Sequence, residues 1–220
     1  MTAERKSAIW VGLLWISATV FPAASAVPWN TLTHDRGILV NAATHKGELI
    51  AWLLLNVVEV LTAAGVAVML YPILARVTDT SVQKGMALWY LGSRIAESGI
   101  YVVAIVATWA FLPLSTGFAA AGSPDASHFQ TTGELLQTTQ DLGLALAQTV
   151  FAVGAAMMYT LLLRSRLVPG WLSLWGLVAA PLFVIASLFW AIAGFAVGVL
   201  IALQLAFPHL NFEPYFSFGR

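Results

Sequence analysis

The chain has 220 residues, of which 60% are hydrophobic and only 9% are charged, and its formal net charge at pH 7 is zero. A water-soluble domain is about half apolar and a quarter charged, so this composition indicates an integral membrane protein whose first partners are membrane lipids. The balanced charge predicts no nucleic-acid partner, and the lack of cysteine excludes disulfides, thiolate metal sites and cysteine nucleophiles. The sequence does not identify a protein partner.

Five long apolar stretches follow one another along the chain, and each has enough residues to cross a bilayer at about 20 residues per helix. Aliphatic runs without period-two alternation predict helices rather than a barrel. We therefore expect an all-α integral membrane protein, a helical bundle of five or six transmembrane helices forming one domain over residues 1–220. The predicted spans are approximately Ile9–Val27, Ile50–Leu74, Leu88–Leu112, Leu142–Leu163 and Trp171–Phe207.

The two ends of the chain leave alternatives open. Residues 1–6 and the apolar run that ends near Ala24-Ser25-Ala26 also fit a cleaved signal peptide, but the length of the run favours a first span. Residues 171–207 are too many for one ordinary crossing, and Pro181, Gly194 and Gly198 offer places to break the helix. Two passes are favoured there over one long kinked helix.

The positions of lysine and arginine predict the orientation, because basic residues near span ends are retained in the cytoplasm. The Ser115–Gln140 segment contains neither residue type, and we interpret it as an exposed outer loop. The Pro28–Gly47 segment is also placed outside. The N-terminus is then cytoplasmic, as expected for a multi-pass protein of a bacterial inner membrane. The cytoplasmic basic residues are Arg5, Lys6, Arg76, Lys84, Arg164 and Arg166.

Three passages carry a family resemblance. They are Asn56–Glu59 with Leu70–Leu74, then Gly92–Glu97, and the Arg-Ser-Arg-Leu-Val-Pro turn within Leu163–Leu172, which is the most specific. Together they resemble a bacterial membrane family catalogued as domain of unknown function 4386, over residues 50 to about 190. The resemblance implies the topology and brings no catalytic residues. From Phe207 onward the sequence departs from the family pattern, which usually enters one more apolar helix there.

Three ionisable residues lie inside predicted spans, where charges are costly and mark candidate functional sites. Glu59 lies nine positions after Ile50, which is roughly 14 Å at 1.5 Å per residue. Arg94 and Glu97 enter the bilayer from the other side to a similar depth. We therefore expect Glu59, Arg94 and Glu97 to meet near the midplane, and they are the candidate catalytic residues.

Further polar residues share the helix faces that carry these charges, since they recur at spacings of three, four, seven and eleven. One arginine cannot neutralise two carboxylates, so one of the two glutamates is expected to hold a proton. A structural alternative is that the arginine neutralises one carboxylate and the polar layer only locks the helix register. The candidate ligand-binding residues are Trp52, Asn56, Tyr90, Tyr101, Asp141 and Gln148, and Tyr159 lies on the same face as the last two.

No cofactor or metal site is predicted. The four histidines fall in predicted loops or the tail, which argues against a haem held between helices. His45 and Glu48 are one turn apart and, with His34 or Asp35, form a weak metal alternative. Glycine-rich phosphate loops, nucleophile elbows and aspartate-rich magnesium motifs do not occur in the sequence.

Three functions follow from this layout. The leading one is binding of a small apolar molecule or lipid in an intramembrane polar pocket. The second is an intramembrane enzyme in which Glu59 or Glu97 acts as a general acid, as in an acid-initiated cyclase or isomerase. A proton-coupled transporter is the weakest, because inverted repeats and paired broken helices are not visible.

Overall fold

The computed structural model describes residues 3–34, 37–120, 126–186 and 189. Every regular element in these ranges is a helix, which confirms the predicted all-α membrane bundle. The seven helices are α1 (Ala3–Thr33), α2 (Ile38–Thr44), α3 (Lys46–Arg76), α4 (Ser81–Trp109), α5 (Phe111–Ala120), α6 (Ala126–Ser165) and α7 (Gly170–Ala186).

Four of the helical segments are long and apolar enough to cross a membrane, and each contains one of the first four predicted spans. They are Ile9–Thr33, Lys46–Arg76, Ser81–Ala120 and His128–Ser165. The fifth predicted span begins as α7, and Pro181 does not end this helix, which continues to Ala186. Whether the chain then crosses once or twice concerns residues that, apart from Phe189, lie outside the described ranges.

The interpretation of Ser115–Gln140 as an exposed loop is wrong. Within the described ranges its residues belong to α5 and to the start of α6, and both Ser115 and Gln140 are fully buried. The polar side chains of this segment mostly bond back to their own helix, as when the hydroxyls of Thr132 and Thr139 donate to the carbonyls four residues earlier at 2.8 Å. A composition rich in Ser and Thr therefore does not interrupt these helices.

The turn between α3 and α4 and the turn between α6 and α7 have distinct local causes. Thr80 and Gln83 form a capping box at the start of α4, in which each side chain bonds to the other residue's backbone N–H at 3.3 Å. Between α6 and α7, Arg166 adopts a positive φ of 53°, and the N–H of Leu172 donates to the Pro169 carbonyl at 3.0 Å. The most specific motif of the sequence thus forms the turn that reverses the chain into α7.

The bundle is built from α1 packed on α3, α3 on α4, and α4 on α6. The last pair approaches closely at Gly154, where an added Cβ would overlap Ser93. Two apolar clusters stabilise the ends of the bundle. The outer cluster contains Leu32, Ile38, Ala42, Leu49, Trp52, Leu53, Ile105 and Phe111. The inner cluster contains Ala67, Leu70, Leu74, Ala87, Tyr90, Met158, Leu161 and Leu162.

The two clusters leave a gap between them on both central helices. On α3 the gap runs from Leu53 to Ala67, and on α4 it runs from Tyr90 to Ile105. All three predicted intramembrane charges fall inside these intervals. The polar layer therefore lies between the outer cluster and the inner cluster.

Candidate functional site

A cavity of about 330 Å³ occupies the polar layer, and we call it the acid cavity. Residues from α1, α3, α4, α6 and α7 line it, so it lies where five helices meet. Its polar lining is Thr19, Glu59, Arg94, Glu97, Tyr101 and Gln148, and its apolar lining is Ala18, Pro22, Ala63, Phe151 and Phe183. The prediction that Glu59, Arg94 and Glu97 meet within the bundle is confirmed.

Arg94 and Glu97 form an ion pair along one face of α4. The Arg94 guanidinium donates to Glu97 Oε2 at 2.5 Å, and the two side chains are only 9% and 15% exposed. Arg94 also lies over the ring of Phe151, with its Cζ 4.8 Å from the ring centroid. A short charge-assisted hydrogen bond and a cation–π contact together fix the guanidinium at the wall of the cavity.

Glu59 and Tyr101 belong to a second polar group, which links α3 to α4. The Tyr101 hydroxyl donates to Asn56 Oδ1 at 2.9 Å, and Asn56 Nδ2 donates to the Trp52 carbonyl at 2.7 Å. The Tyr101 hydroxyl also lies within hydrogen-bonding reach of the Glu59 side chain. Within the described residues, Glu59 Oε2 is enclosed and has no hydrogen-bond partner.

A smaller cavity of about 150 Å³ lies next to the acid cavity on the side of the inner cluster. Tyr90, Met158 and Tyr159 line it, and it shares Ala18, Thr19, Arg94 and Phe151 with the acid cavity. The Arg94–Phe151 contact therefore belongs to the lining of both spaces. Tyr90 and Tyr159, which the sequence placed on the polar faces, line this second cavity and are not among the acid-cavity residues.

Two predicted ligand-binding residues lie elsewhere. Trp52 is 4% exposed and packs in the outer cluster against Trp29, with ring centroids 5.1 Å apart. Asp141 is exposed and lies seven residues before Gln148, which is about 10 Å along α6. Trp52 shares a helix face with Glu59, and Asp141 shares one with Gln148. Helical spacing predicts the face on which a residue lies, but it does not place two residues at the same depth in the membrane.

The expectation that Glu59 and Glu97 share Arg94 is met only in part. Both acids lie close enough to feel the guanidinium charge, but the hydrogen-bonded ion pair is with Glu97. A spacing of three on one helix brings the two groups of the pair together without any help from α3.

Sequence reasoning missed the apolar lining. On α1, Ala18 and Pro22 carry no polar signal that marks them, and Phe183 of α7 is equally inconspicuous. Phe151 was recoverable, because it follows Gln148 by three residues and so lies on the same face of α6.

The histidines do not assemble a metal site in the described part of the chain. His128 lies inside α6 and not in a loop, which corrects the prediction for that residue. His45 Nδ1 and Glu48 Oε1 are 3.8 Å apart, and both side chains are exposed. No group of three His, Cys, Asp or Glu side chains comes together among the described residues, and Asp35 lies outside them.

Comparisons with known proteins find a short local similarity. The chain is 65% identical over 37 residues to "Cytochrome c oxidase subunit 1 homolog" of Agrobacterium tumefaciens (strain T37), covering 17% of this chain and 7% of that protein. It is 60% identical over 35 residues to the homolog of Azorhizobium caulinodans, covering 16% and 6%. The aligned segment thus spans less than a tenth of these relatives.

No solved structure matches the chain. A family model described as "Domain of unknown function (DUF4386)" matches residues 11–216. The match is wider than the resemblance found from the three passages, which ran from residue 50 to about 190. The chain therefore belongs to the DUF4386 family.

Proposed function

We propose that the protein binds a small apolar molecule or lipid in the acid cavity. The observation that carries this proposal is a cavity of about 330 Å³ at the meeting point of five helices, with Glu59, Arg94 and Glu97 in its wall. A purely structural ion pair needs no such space beside it. Ligand sites are typically concave, mostly apolar and provided with a few placed polar groups, with volumes of roughly 300–1,000 Å³.

The site's depth in the bundle supports a ligand that comes from the bilayer. Charged side chains inside a membrane are expensive and usually face a cavity or each other. We propose a bacterial inner membrane with the N-terminus in the cytoplasm, because Arg76, Lys84 and Arg164 all lie at one end of the bundle, at or near the ends of α3, α4 and α6. Membrane lipids are then the surrounding partners.

Filling the cavity tests the proposal directly. Ala63 is 6% exposed and lines the acid cavity, so methionine at this position would extend a flexible side chain into it. For Ala63→Met we expect the melting temperature in detergent to be kept and the amount of copurified ligand to fall by at least about tenfold, equivalent to about 1.4 kcal/mol. Native mass spectrometry of protein released from a mild detergent measures the ligand load.

The matched control is Ala51→Met, because Ala51 lies on the same helix but is exposed. This variant should keep the ligand load of the parent. An Ala63→Met protein that is folded and carries as much ligand as the parent would contradict binding in the acid cavity.

A second candidate function is an acid-initiated cyclase or isomerase. It is favoured by Glu59, whose Oε2 has no hydrogen-bond donor within the described residues, an environment that suits the neutral acid. Such an acid gives a proton to the substrate and recovers one when the rearranged product forms, so the enzyme is regenerated.

This second candidate predicts a product difference in cells. Lipid extracts of cells that express the parent should contain an isomer that is missing with Glu59→Gln, because the amide cannot supply the proton. Glu134→Gln is the control, since Glu134 is exposed on α6. Identical extracts from parent and Glu59→Gln cells would rule out Glu59 as the acid, and mass spectrometry of the extracts decides the matter.

A further inference from the structure

A groove of about 510 Å³ lies between α4 and α6, and we call it the α4–α6 groove. Its α4 side extends from Gly85 to Ala96, and its α6 side from Thr149 to Val153. It shares no lining residue with the acid cavity. Trp89 lines it and is 60% exposed, so the groove opens on the outer surface of the bundle, where a membrane protein meets lipid.

The wall of the α4–α6 groove is almost entirely apolar. The hydroxyls of Ser93 and Thr149 donate to carbonyls of their own helices, each at 2.8 Å, and so are already satisfied. Apart from the indole of Trp89, the other lining residues are glycine, alanine, leucine and valine. Such a wall matches an alkyl chain, because a polar group would lose its hydrogen bonds there.

The α4–α6 groove has the length of one membrane leaflet. Gly85 and Ala96 are eleven positions apart, which is about 16 Å along α4, or half of a hydrocarbon core of roughly 30 Å. The groove begins four residues after Ser81, where α4 starts, and ends next to Glu97 in the polar layer. A transmembrane partner helix packed along α4 would need about twice this length, whereas a single acyl chain fits.

Two cations lie on the helix faces that form the groove, at the end where α4 begins and α6 ends. Lys84 precedes the lining residue Leu88 by four positions, which is one helical turn on the same face. Arg164 follows the lining residue Val153 by eleven positions, which is three turns on the same face. Both cationic side chains are exposed.

The register of the two helices brings Lys84 and Arg164 to the same level. Gly154 of α6 approaches Ser93 of α4, and Gly143 approaches Ala104. Both steps are eleven positions, so the antiparallel register is constant, and Lys84 lies level with the residue before Arg164. Within the described part of the chain, neither cation forms a salt bridge.

We propose that the α4–α6 groove binds an anionic phospholipid of the leaflet at this end of the bundle, with one acyl chain in the groove and the phosphate at Lys84 and Arg164. Lysine and arginine are the usual partners of phosphate groups. A net negative head group is favoured over a zwitterionic one because segments 76–84 and 164–169 carry four cations against one anion. These residues are Arg76, Lys84, Arg164 and Arg166, with Asp79 as the anion.

Two probe lipids with the same palmitoyl and oleoyl chains, phosphatidylglycerol and phosphatidylcholine, test the head group. Native mass spectrometry of the purified protein in mild detergent counts the bound lipids. We expect phosphatidylglycerol to bind at a concentration at least about tenfold lower than phosphatidylcholine. Since each basic residue near a membrane surface contributes about fivefold, the double variant Lys84→Gln, Arg164→Gln should reduce the difference below about threefold. Arg76→Gln is the control, because Arg76 is exposed but α3 contributes no groove residue.

A second pair of variants tests the acyl-chain position. A Cβ at Gly92 or at Gly99 meets no atom within 4 Å, and both glycines are exposed on α4, but Gly92 lines the groove and Gly99 does not. Gly92→Leu should therefore lower bound phosphatidylglycerol at least about fivefold at an unchanged melting temperature, and Gly99→Leu should not. Ala63→Met should also retain this lipid, which separates the groove from the acid cavity.

Each of four results would overturn the proposal. They are equal binding of the two lipids by the parent, an unchanged preference in the double charge variant, a full lipid load in folded Gly92→Leu, and a parent dimer that Gly92→Leu converts to a monomer. The last result would place a second copy of the chain in the groove. The charge variants alter only exposed side chains, so they decide the matter even if Gly92→Leu does not fold.

Discussion

Arg94→Leu should lower the free energy of unfolding by about 3–5 kcal/mol, because it leaves the buried Glu97 carboxylate without its cation. Arg94 itself is only 7% exposed, so water cannot take over its role without opening the bundle. The variant should show a much lower folded yield, and a reversible titration with a denaturing detergent should show unfolding at a lower concentration. A change below about 1 kcal/mol would mean that the pair behaves as an exposed one.

Two double variants identify the partner of Arg94. Arg94→Leu combined with Glu97→Gln should recover part of the lost stability, since neither charge is then left alone. Arg94→Leu combined with Glu59→Gln should recover little, because Glu59 is not the hydrogen-bonded partner. The reverse order of recovery would assign the ion pair to Glu59.

Trp52→Ala should cost about 3 kcal/mol, the lower end of the range for removing a buried aromatic ring. The lower end applies because the unfolded helix in lipid keeps the indole in apolar surroundings, so only packing is lost. Trp52 packs on Trp29 and thereby joins α3 to α1 in the outer cluster. The loss should appear in the same denaturing titration.

Trp89→Ala is the matched control, because Trp89 is 60% exposed. Removing it should change the free energy of unfolding by less than about 0.5 kcal/mol, as for surface substitutions away from packed contacts. Equal losses in the two tryptophan variants would contradict the role of the outer cluster in joining these helices.

The amino-acid sequence was sufficient to predict the membrane-spanning helices and the proximity of the three charged residues. Long apolar runs identified the four crossing helices, and the residue count from each span end placed Glu59, Arg94 and Glu97 at one depth. The start of α6 was not predictable from composition. The hydroxyls of Thr132 and Thr139 donate hydrogen bonds to backbone carbonyls of the same helix, so these polar residues do not end it. Polar residues there extend a helix that the sequence assigned to a loop.

The full set of residues that line the acid cavity was harder to predict than its three charged residues. Equal spacing cannot separate Gln148, which lines the cavity, from Asp141, which lies on the same face but is exposed. The partner of Arg94 was also ambiguous, since an acid on its own helix and one on α3 both satisfy the expected geometry. Small wall residues such as Ala18 have no chemical signature, so only packing reveals them.

The length of α6 has a mechanical consequence. The helix has 40 residues, which is about 60 Å, while the hydrocarbon core is about 30 Å thick. It contains no proline. Its outer part contacts Leu39 and Phe111 at Gly133, its middle carries Phe151 at the cavity wall, and its inner end packs through Leu161. α6 is therefore held by packing at both of its ends, and displacing Phe151 far enough to enlarge the cavity also strains those two sets of contacts.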